Sequence, residues 1–396
     1  MSARRGWCPS LHEPMPTGDG LLVRVKPRGG RLSARAVRVL AGAAISSGNG
    51  MIDLTRRGAV QARGLSPATA PLFAAAMIAA GLASPGVGAD RRRNVIATPL
   101  AGADPGVHRA THAIVASIET ALEEATDLDL LPAKFGVAVD GGGVLPFGDV
   151  GADIAVRLRA ETAELALAGG ALVAPVPIAA AAAAVLSLVH AFLVLDGAGL
   201  RRMRALVAER GEAAVFAACG LTPIAAMAQM PIRPAVGVHA YAGGIAFGAG
   251  LPFGSAAASD WVGLAELAVR FGDGAVRLTP WRTLLIAGVE DPVSLRNAIG
   301  DGFITDPDDG RLRTEACPGE PACASASVLT RALATRLRPS PGTTLHVSGC
   351  DKGCAHPGPS AITLVGRAGG YDLVRHGRAS DAPERFALSE AEIMAL

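Results

Sequence analysis

The first regular pattern in the chain is a run in which one face is apolar, "GLLVRV" at 20–25, as expected of a strand. Ser33 then precedes a stretch with helical spacing, and serine is a favoured residue at the start of a helix. The apolar positions on the i, i+3, i+4, i+7 face are Val37, Leu40, Ala41 and Ala44. A second apolar strand at 59–65 and a further helix complete a predicted β-α-β-β-α unit.

The same order of elements recurs in the second half of the chain. A strand is predicted at 235–241, a helix capped by Ser259 or Asp260, another strand at 283–289, and then a further helix. The apolar face of the helix carries Trp261, Leu264, Ala265 and Ala268. Both units have the β-α-β-β-α pattern of a ferredoxin-like half-sheet, which indicates an α+β (mixed α/β) fold.

The two units are copies of one another at the level of local sequence. "GNGMIDLTRR" begins at Gly48 and "GDGAVRLTPWR" begins at Gly272, so the copies lie 224 residues apart. Leu54 and Leu278 keep the same offset, and each is followed by threonine. One repeat at so long a spacing predicts two fused halves related by a pseudo-twofold axis, not a solenoid of short repeats.

Composition narrows the function classes. Half of the 396 residues are hydrophobic, and 37 basic residues nearly balance 35 acidic ones to leave a net charge of +2. This balance argues against a nucleic-acid-binding protein. The N-terminal "MSARRGWCPSLHEP" has no apolar core of a signal peptide, so a cytoplasmic location is expected. The uncharged stretch 165–195 is interpreted as a buried helix of a soluble protein, with a membrane span as the alternative.

Four of the six cysteines fall within a short C-terminal region. Cys317 and Cys323 form a Cys-x5-Cys pair, and Cys350 and Cys354 form a Cys-x3-Cys pair. Thiolates are soft ligands that select zinc or iron–sulfur clusters, and zinc knuckles usually use shorter gaps. The spacing and the neighbouring glycines favour a 4Fe–4S cluster, while zinc and plain core thiols remain alternatives. The isolated Cys8 and Cys219 are interpreted as ordinary residues.

These cysteine pairs, together with the repeat, resemble the sulfite/nitrite reductase superfamily over nearly the whole chain. Three further segments are similar to motifs of that superfamily: "LTRRGAVQARG" (54–64), "RRNVIATPLAG" (92–102) and "LPAKFGVAV" (131–139). In the reductases the last cysteine of this signature bridges the cluster to a sirohaem iron, and the resemblance implies that Cys354 matches it. It also implies that two arginines and two lysines hold a small oxyanion there, but Gly136 stands where the second lysine is expected.

One branch of the superfamily, the precorrin-3B synthases, is similar in further segments. Cys8-Pro9, "PMPTGDGLLVRV" (14–25) and "GCAHPGP" (353–359) carry this resemblance. It implies an oxygen-dependent monooxygenase of aerobic cobalamin biosynthesis that hydroxylates precorrin-3A at C20 and closes a ring-A acetate to a lactone. It also implies a mononuclear non-haem iron beside the cluster. Sirohaem would be bound only by a sulfite or nitrite reductase, the alternative enzyme, and a non-catalytic iron–sulfur or tetrapyrrole-binding protein is the second alternative.

The resemblance implies four domain ranges. They are a ferredoxin-like half at 1–90, a tetrapyrrole-binding half at 91–230, a second ferredoxin-like half at 231–300 and a cluster-bearing half at 301–396. The sequence carries no Walker loop and no strand–GxGxxG–helix unit, so no bound nicotinamide is expected. Electrons are therefore expected from an external NADH-dependent reductase or ferredoxin, with precorrin-3A and O2 as the other partners.

Candidate site residues follow from the matched motifs and from chemistry. A precorrin is a flat polyanion, and arginine forks pair with carboxylates bidentately. The predicted substrate-binding residues are Arg57, Gln61, Arg63, Arg93, Lys134 and Lys352, with Arg367 as a further candidate at the rim. Lys134 and His356 are the candidate catalytic residues. His108 and His112 are spaced for two-point metal ligation, but a solvent-facing helical pair is the favoured interpretation.

Overall fold

The structure is a computed structural model, and it describes residues 8–148, 150–195, 199–200, 202–227 and 234–395. Residues 1–7, on which the prediction of no signal peptide partly rests, lie outside the described residues. Its strands fall into four sheets.

The first eleven strands include those of the first repeat copy and of the sheet that follows it. They are β1 (Met15–Thr17), β2 (Gly20–Val25), β3 (Arg31–Ser33), β4 (Met51–Leu54), β5 (Val60–Leu65), β6 (Val95–Ala97), β7 (Val137–Asp140), β8 (Ile154–Leu158), β9 (Thr162–Leu167), β10 (Leu172–Pro177) and β11 (Ile224–Ala225).

The remaining strands include those of the second repeat copy and of the cysteine-bearing region. They are β12 (Gly237–Tyr241), β13 (Gly244–Gly250), β14 (Ser255–Ala257), β15 (Ala275–Leu278), β16 (Thr283–Ala287), β17 (Thr314–Ala316), β18 (Leu345–Ser348), β19 (Ser360–Arg367), β20 (Gly370–Gly377) and β21 (Arg385–Leu388).

Helices cover the sheets. They are α1 (Ala34–Ser47), α2 (Ala70–Ala79), α3 (Val87–Arg92), α4 (Thr111–Glu124), α5 (Ala181–Leu195), α6 (Met203–Arg210), α7 (Glu212–Ala218), α8 (Ala258–Phe271), α9 (Pro292–Ala298), α10 (Thr330–Arg336) and α11 (Glu390–Met394).

The two ferredoxin-like sheets exchange one strand each. The first has the order β1-β2-β5-β4-β14 and the second has the order β12-β13-β16-β15-β3. The short strand β3 of the first copy therefore pairs with β15 of the second, and β14 of the second pairs with β4 of the first. Helices α1 and α8 share one apolar core, in which Leu40 and Leu264 are both buried. The predicted pair of ferredoxin-like halves is confirmed, with this exchange added.

The backbone keeps the 224-residue offset closely. Gly50 and Gly274 both have a left-handed φ, at 75° and 73°. Gly48 and Gly272 approach the carbonyl oxygens of Arg63 and Ala287, a pair with the same offset, so closely that neither site has room for a Cβ. Glycine is needed at these turns for two reasons, positive φ and close backbone approach.

Two details of the predicted second copy are wrong. The strand at 237–241 exists, but it matches β1, and the counterpart of β2 is β13, which begins at Gly244. The offset between Gly20 and Gly244 is again 224. The cap of α8 also differs, because Ala257 occupies the N-cap position and the Asp260 carboxylate accepts its N–H at 3.1 Å. The prediction for α1 is confirmed: Ser33 Oγ accepts from Ala36 N at 3.2 Å.

The other two sheets share one topology. Strands β6, β7 and β8 run parallel and continue into antiparallel β9 and β10, with β11 at the edge. Strands β17, β18 and β19 also run parallel and continue into antiparallel β20 and β21. In both sheets the loops after the first two strands lie at the carboxyl ends of parallel strands, where α/β sheets bind ligands. The predicted domain boundaries themselves remain predictions.

One helical segment in the described part of the chain, Ile178–Leu195, is long and apolar enough to cross a membrane by length and composition. One face of it packs into the core of the six-stranded sheet, with Val185, Leu188 and Phe192 fully buried. Phe192 stacks at a tilt on Phe135, with ring centroids 4.8 Å apart. This packing supports the interpretation of a core helix.

Candidate functional site

The four C-terminal cysteines lie in the two loops that follow β17 and β18. Cys317 directly follows β17 and is buried, and its Sγ accepts the N–H of Gly349 at 3.1 Å. Gly349 must be glycine, because a Cβ there would lie 2.5 Å from the Cβ of Ala326. Backbone N–H groups that point at thiolate sulfur are a feature of iron–sulfur sites, where they raise the reduction potential.

The four thiols share one neighbourhood. Burial raises the pKa of Cys354, and the nearby thiols of Cys350, Cys317 and Cys323 raise it further. In the described ranges no three Cys, His, Asp or Glu side chains converge tightly enough to hold a single metal ion as they stand. An all-sulfur donor set spread around a wider space fits a cubane cluster better than a zinc ion.

The Cys323 loop docks on the first ferredoxin-like half. Gly18 N–H donates to the carbonyl of Ala322 at 3.2 Å, and a Cβ on Gly18 would overlap Pro321 O. Arg63 Nη2 donates to the same Ala322 carbonyl at 2.9 Å. The loop that carries Cys323 is thus held by a turn near the other end of the chain.

The predicted ligand role of Arg63 disagrees with this geometry. The guanidinium of Arg63 is buried and pairs with Asp19 at 3.0 Å and with Asp53 at 3.5 Å, in addition to its bond to Ala322. Arg63, on β5, thus connects the loop that carries Cys323 to Asp19 and Asp53, and its donors are directed into the protein. Arg63 is a structural residue in this arrangement.

Arg93 also points inward. It is 1% exposed and lies among the carboxylates of Glu123, at 3.0 Å, Glu119, at 3.5 Å, and Asp90, at 3.9 Å. Its Nη1 donates to Lys26 O at 2.7 Å. The motif match predicts a substrate contact for Arg93. In the structure Arg93 instead lies in an acidic pocket between α3 and α4.

Arg57 and Lys134 do come together. Arg57 Nη1 donates to the backbone carbonyl of Lys134, and the Lys134 side chain is exposed. Burial lowers the pKa of Arg57, and the nearby Arg202 guanidinium lowers it further. Gly136 leaves no free space beside them: a Cβ there would lie 3.0 Å from Asn94 Nδ2 and 3.4 Å from Arg57 Nη1. Arg57 thus lies close to where the second lysine is expected.

Two small crevices, one of them lined in part by Arg57, are lined by further cations that the motifs do not indicate. One is lined by residues that include Cys8, Arg24, Lys26 and Arg91. The other is lined by residues that include Lys26 and Arg57. Each has a volume of about 10 Å³, enough for roughly one water molecule.

Lys26 is held between the two crevices. Its ammonium donates to the carbonyl of Asp90 and, at 3.3 Å, to that of Arg91. Burial lowers the pKa of Lys26 to about 8, against the attraction of Asp90 and with the repulsion of Arg93. The only sequence signal for Arg24 and Lys26 is their alternation with apolar residues on β2 and directly after it, which any half-exposed strand shows.

The other predicted binding residues are scattered. Gln61 lies opposite Arg24 on paired strands, and its amide oxygen, once turned, accepts from Arg24 Nη2 at 2.9 Å. Lys352 is exposed in the Cys350–Cys354 loop and its Nζ donates to Ser325 Oγ at 3.1 Å. Arg367 pairs with Asp372 at 3.1 Å. Gln61 thus lies beside Arg24, and Lys352 lies beside the cysteines.

Glu315 joins the cysteine-bearing half to both ferredoxin-like halves. It precedes Cys317 by two residues, on β17. Arg56, from the first copy, pairs with one of its carboxylate oxygens, and Arg282, from the second, pairs with the other. This bridge, which the motifs do not indicate, lies on the symmetry-related turns of the repeat.

His356 lies over a second histidine, His346. The two rings are perpendicular within 14°, at an interplanar angle of 76°, with centroids 5.9 Å apart. His346 is fully buried on β18, and burial lowers its pKa to about 4, with a further contribution from His356. Nothing in the sequence marks His346, an isolated histidine in an apolar strand.

The histidine pair His108 and His112 lies elsewhere. His112 is on α4, but His108 precedes the helix, so the predicted single helical face is wrong. Both line an open cavity of about 720 Å³ beside the loops after β6 and β8. His108 Nδ1 accepts the N–H of Ala110 at 3.2 Å, which leaves the pair poorly placed to share a metal ion.

Comparison with known proteins finds a matching family model and similar proteins. The nitrite/sulfite reductase ferredoxin-like half domain matches residues 13–80 and 240–292, the two repeat copies. A precorrin-3B synthase from Sinorhizobium sp. is 35% identical over 411 residues, with 97% of this chain and 86% of the relative covered. A ferredoxin–nitrite reductase from Synechococcus elongatus is 27% identical over 412 residues, with 92% and 79% covered.

A solved structure shows the same fold. The NirA protein of Mycobacterium tuberculosis is similar with a TM-score of 0.72, over 95% of this chain and 79% of that one. The sequence identity is 21%, so this likeness concerns the fold alone.

Proposed function

The chain belongs to the precorrin-3B synthase family, and we propose that it hydroxylates precorrin-3A at C20 with O2 and closes the ring-A acetate to a lactone. The observation that carries this proposal is the 35% identity to a precorrin-3B synthase along 97% of the chain. The site is compatible with it, because Gly136 stands where the resemblance predicts the second oxyanion-binding lysine, and Arg24, Lys26 and Arg57 line two small crevices.

The arrangement of the cations bears on whether the bound anion is small or large. Desolvating sulfite or nitrite is costly unless several groups converge on its oxygens. Arg57, Arg24 and Lys26 instead border two separate crevices. A tetrapyrrole has carboxylates around a wide rim, and such spaced cations can each pair with a different one. We assign Arg57, Lys134, Gln61, Arg24 and Lys26 to one substrate-binding surface that faces the rim of the tetrapyrrole.

A 4Fe–4S cluster fits the four cysteines by donor chemistry and by the N–H of Gly349 directed at Cys317. Cys317, Cys323, Cys350 and Cys354 would hold it, and it would relay single electrons from an external NADH-dependent reductase or ferredoxin. Insertion of one oxygen atom requires two such electrons and two protons, with the second oxygen atom released as water.

The chain's own side chains would place the substrate and manage its charge. The acetate that closes to a lactone loses its negative charge when its oxygen forms the new C–O bond, so a cation that pairs with the carboxylate before closure would position it and be released afterwards. We assign this contact to Lys134, because its side chain is exposed and its backbone carbonyl accepts from Arg57. Lys352, next to the cysteines, would face a second edge of the macrocycle. His356 would lie near the reacting carbon because it follows Cys354 by two residues.

The decisive experiment supplies anaerobically purified protein with precorrin-3A, O2 and a reductant. Mass spectrometry should detect a product heavier by one oxygen atom, and labelled O2 should label it. A parallel assay offers sulfite and nitrite with a strong artificial donor, and an absorption spectrum tests for sirohaem. Turnover of either anion by sirohaem-containing protein, with precorrin-3A unchanged, would establish a reductase instead. Binding of precorrin-3A with no uptake of O2 would establish a non-catalytic carrier.

A further inference from the structure

The six-stranded sheet and the cysteine-bearing sheet have equivalent loops at the carboxyl ends of their parallel strands. Thr98 and Gly141 directly follow β6 and β7, and Gly141 N–H donates to Thr98 Oγ1 at 2.8 Å. Cys317 and Gly349 directly follow β17 and β18, and Gly349 N–H donates to Cys317 Sγ at 3.1 Å. The six-stranded sheet thus has the backbone framework of the cysteine site, with a threonine in place of the thiol.

An open cavity of about 720 Å³ lies at these loops of the six-stranded sheet. It is lined by the loop after β6, by Gly141 after β7 and by the turn after β8 at 158–160. Ligands of α/β sheets bind at the carboxyl ends of parallel strands, and pockets of about 300–1,000 Å³ hold small molecules. Among the described residues that line it, none is a cysteine or belongs to the substrate-binding surface. The cavity therefore has the position and the volume of a separate ligand site.

Three basic side chains from different segments line the cavity. Arg109 precedes α4, His112 is on α4, and Arg159 is in the turn after β8. The guanidinium of Arg109 has no ion pair and no hydrogen bond in the described part of the chain. Arg159 Nη2 pairs with Glu164 at 3.0 Å, which leaves its other N–H donors available. Such guanidinium groups match oxyanions, because each can donate to two oxygens at once.

The carboxylate in the cavity lining is already bound by backbone groups. Asp104 is buried, and its two oxygens accept the N–H of Gly106 at 2.7 Å and that of Val144 at 2.8 Å. Helix α4 begins at Thr111, which also lines the cavity, and it has no side-chain cap. The first N–H groups of a helix lack intrahelical partners and favour an anion. The groups left open at the cavity are thus mainly cations and donors.

His108 fixes the distance between the two arginine-bearing segments. Its Nδ1 accepts the N–H of Ala110 at 3.2 Å, so the hydrogen is on Nε2, which donates to the carbonyl of Ala160 at 3.3 Å. This side chain therefore connects the loop that carries Arg109 to the turn that carries Arg159. A site whose cations are held in advance loses less conformational entropy when an anion binds.

We propose that this cavity binds the phosphate group of a nucleotide-sized phosphate ester, with Arg109 and Arg159 donating to the phosphate oxygens. Donors from three segments suit a tetrahedral group with three free oxygens better than a planar carboxylate. The cavity is much larger than a phosphate group, and its lining includes Pro105, Val107 and Leu158, against which the rest of the ligand would pack. The site stands on these residues alone and does not depend on precorrin hydroxylation.

Calorimetric titration of the whole protein at about 0.15 M salt tests the site with ADP, inorganic phosphate, adenosine and citrate. ADP should bind at least ten times more tightly than inorganic phosphate, while adenosine and citrate should not bind measurably. Arg109→Gln and Arg159→Gln should each weaken ADP binding by about tenfold or more. The matched control is Arg38→Gln, an exposed arginine on α1, which should bind ADP as the parent protein does.

A second variant tests the shape of the cavity without changing any charge. Ala160 is exposed and lines the cavity, so Ala160→Phe should weaken ADP binding by about tenfold or more and leave phosphate binding unchanged. Iron and sulfide content and a urea unfolding curve check that each variant is folded.

Each contrary outcome removes a stated part of the proposal. Failure of ADP and phosphate to bind at millimolar concentration, or equal weakening in Arg38→Gln, would overturn the site. Citrate that binds as tightly as ADP would overturn the assignment to phosphate. Unchanged ADP binding in Ala160→Phe would overturn the placement of the ligand in the cavity. None of these titrations uses precorrin-3A or O2, so their failure leaves the proposed function standing, and loss of the proposed function leaves this site standing.

Discussion

Arg282 and Gly58 occupy equivalent positions of the repeat and share a left-handed backbone, with φ at 57° and 61°. Glycine adopts this conformation freely, whereas an L-residue with a Cβ is destabilised by about 1 kcal/mol or more. Arg282 compensates through its guanidinium, which pairs with Glu315. The second copy therefore has a strained backbone at a position that connects it to the cysteine-bearing half.

This relationship predicts an order of stability for two variants. Arg282→Gly loses the ion pair but relieves the strain, while Arg282→Ala loses the pair and keeps the strain. Arg282→Ala should be the less stable by about 1 kcal/mol, as measured by urea unfolding. The comparison is matched because both variants leave Glu315 with Arg56 alone. An alanine variant as stable as the glycine variant would show that the turn is not strained.

The docking of the cluster loop predicts a separate effect at Gly18. A Cβ at this position would overlap the carbonyl of Pro321, so Gly18→Ala should displace the loop that carries Cys323. We expect iron and labile sulfide to fall by half or more while the far-ultraviolet circular dichroism is unchanged.

A matched control for Gly18 is Gly42 on α1, where a Cβ would have no described atom within 4 Å. Gly42→Ala should keep the cluster and stabilise the fold by about 0.5–1 kcal/mol, because alanine is favoured over glycine in helices. Equal cluster content in the two variants would contradict the proposed docking.

Part of the fold and of the candidate site can be predicted from the sequence because it depends on local patterns. The cysteine spacing, the capping serine at Ser33 and the glycine turns at Gly48 and Gly272 are all short-range signals. The exchange of β3 and β14 between the two sheets could not be predicted in this way. Each of these strands has only three residues, and its partner lies in the other copy.

The burial of Arg93 could not be predicted for a similar reason. A motif match identifies the arginine, but its partners Glu119 and Glu123 are on a helix whose orientation the sequence does not specify. His346 could not be identified for a different reason: no motif or spacing in the sequence marks it. Only the structure shows that it is buried beside His356. Contacts between distant segments, not local propensity, decide both cases.

Arg93 and Arg57 should therefore behave differently when truncated. Arg93→Ala leaves the buried Glu119 without its closest cation, and burial already raises the pKa of that carboxyl. We expect a loss of stability of about 3–5 kcal/mol, measured by chemical unfolding. Arg57→Ala should change stability little and should weaken precorrin-3A binding by about ten- to a hundredfold, since a charge-assisted pair contributes about 1.5–3 kcal/mol.

A binding titration and an unfolding curve on each variant distinguish these outcomes, and the cluster spectrum serves as the control for Arg57→Ala. A stable Arg93→Ala protein with weak binding would restore Arg93 to the substrate site.

Lys26 makes stability depend on pH in the alkaline range. Its pKa is lowered from 10.5 to about 8 by burial, so the folded protein binds fewer protons than the unfolded chain between these two values. The free energy of unfolding then rises with pH across that window, because stability increases wherever the unfolded state binds more protons. Below pH 8 the cost of burying the charged ammonium is fully present, and it is relieved toward pH 10.5. The gain is at most about 3 kcal/mol.

The chain is well suited to this measurement because Lys26 is one of only three lysines, and Lys134 and Lys352 are exposed. Urea unfolding curves collected between pH 7.5 and about pH 10 should show the rise in the parent protein and a smaller one in Lys26→Met. Lys352→Met is the control, since removing an exposed ammonium should leave the slope unchanged. If Lys26→Met and the parent protein have parallel curves, Lys26 is charged throughout. Its ammonium would then be available to precorrin carboxylates at any pH at which the enzyme works.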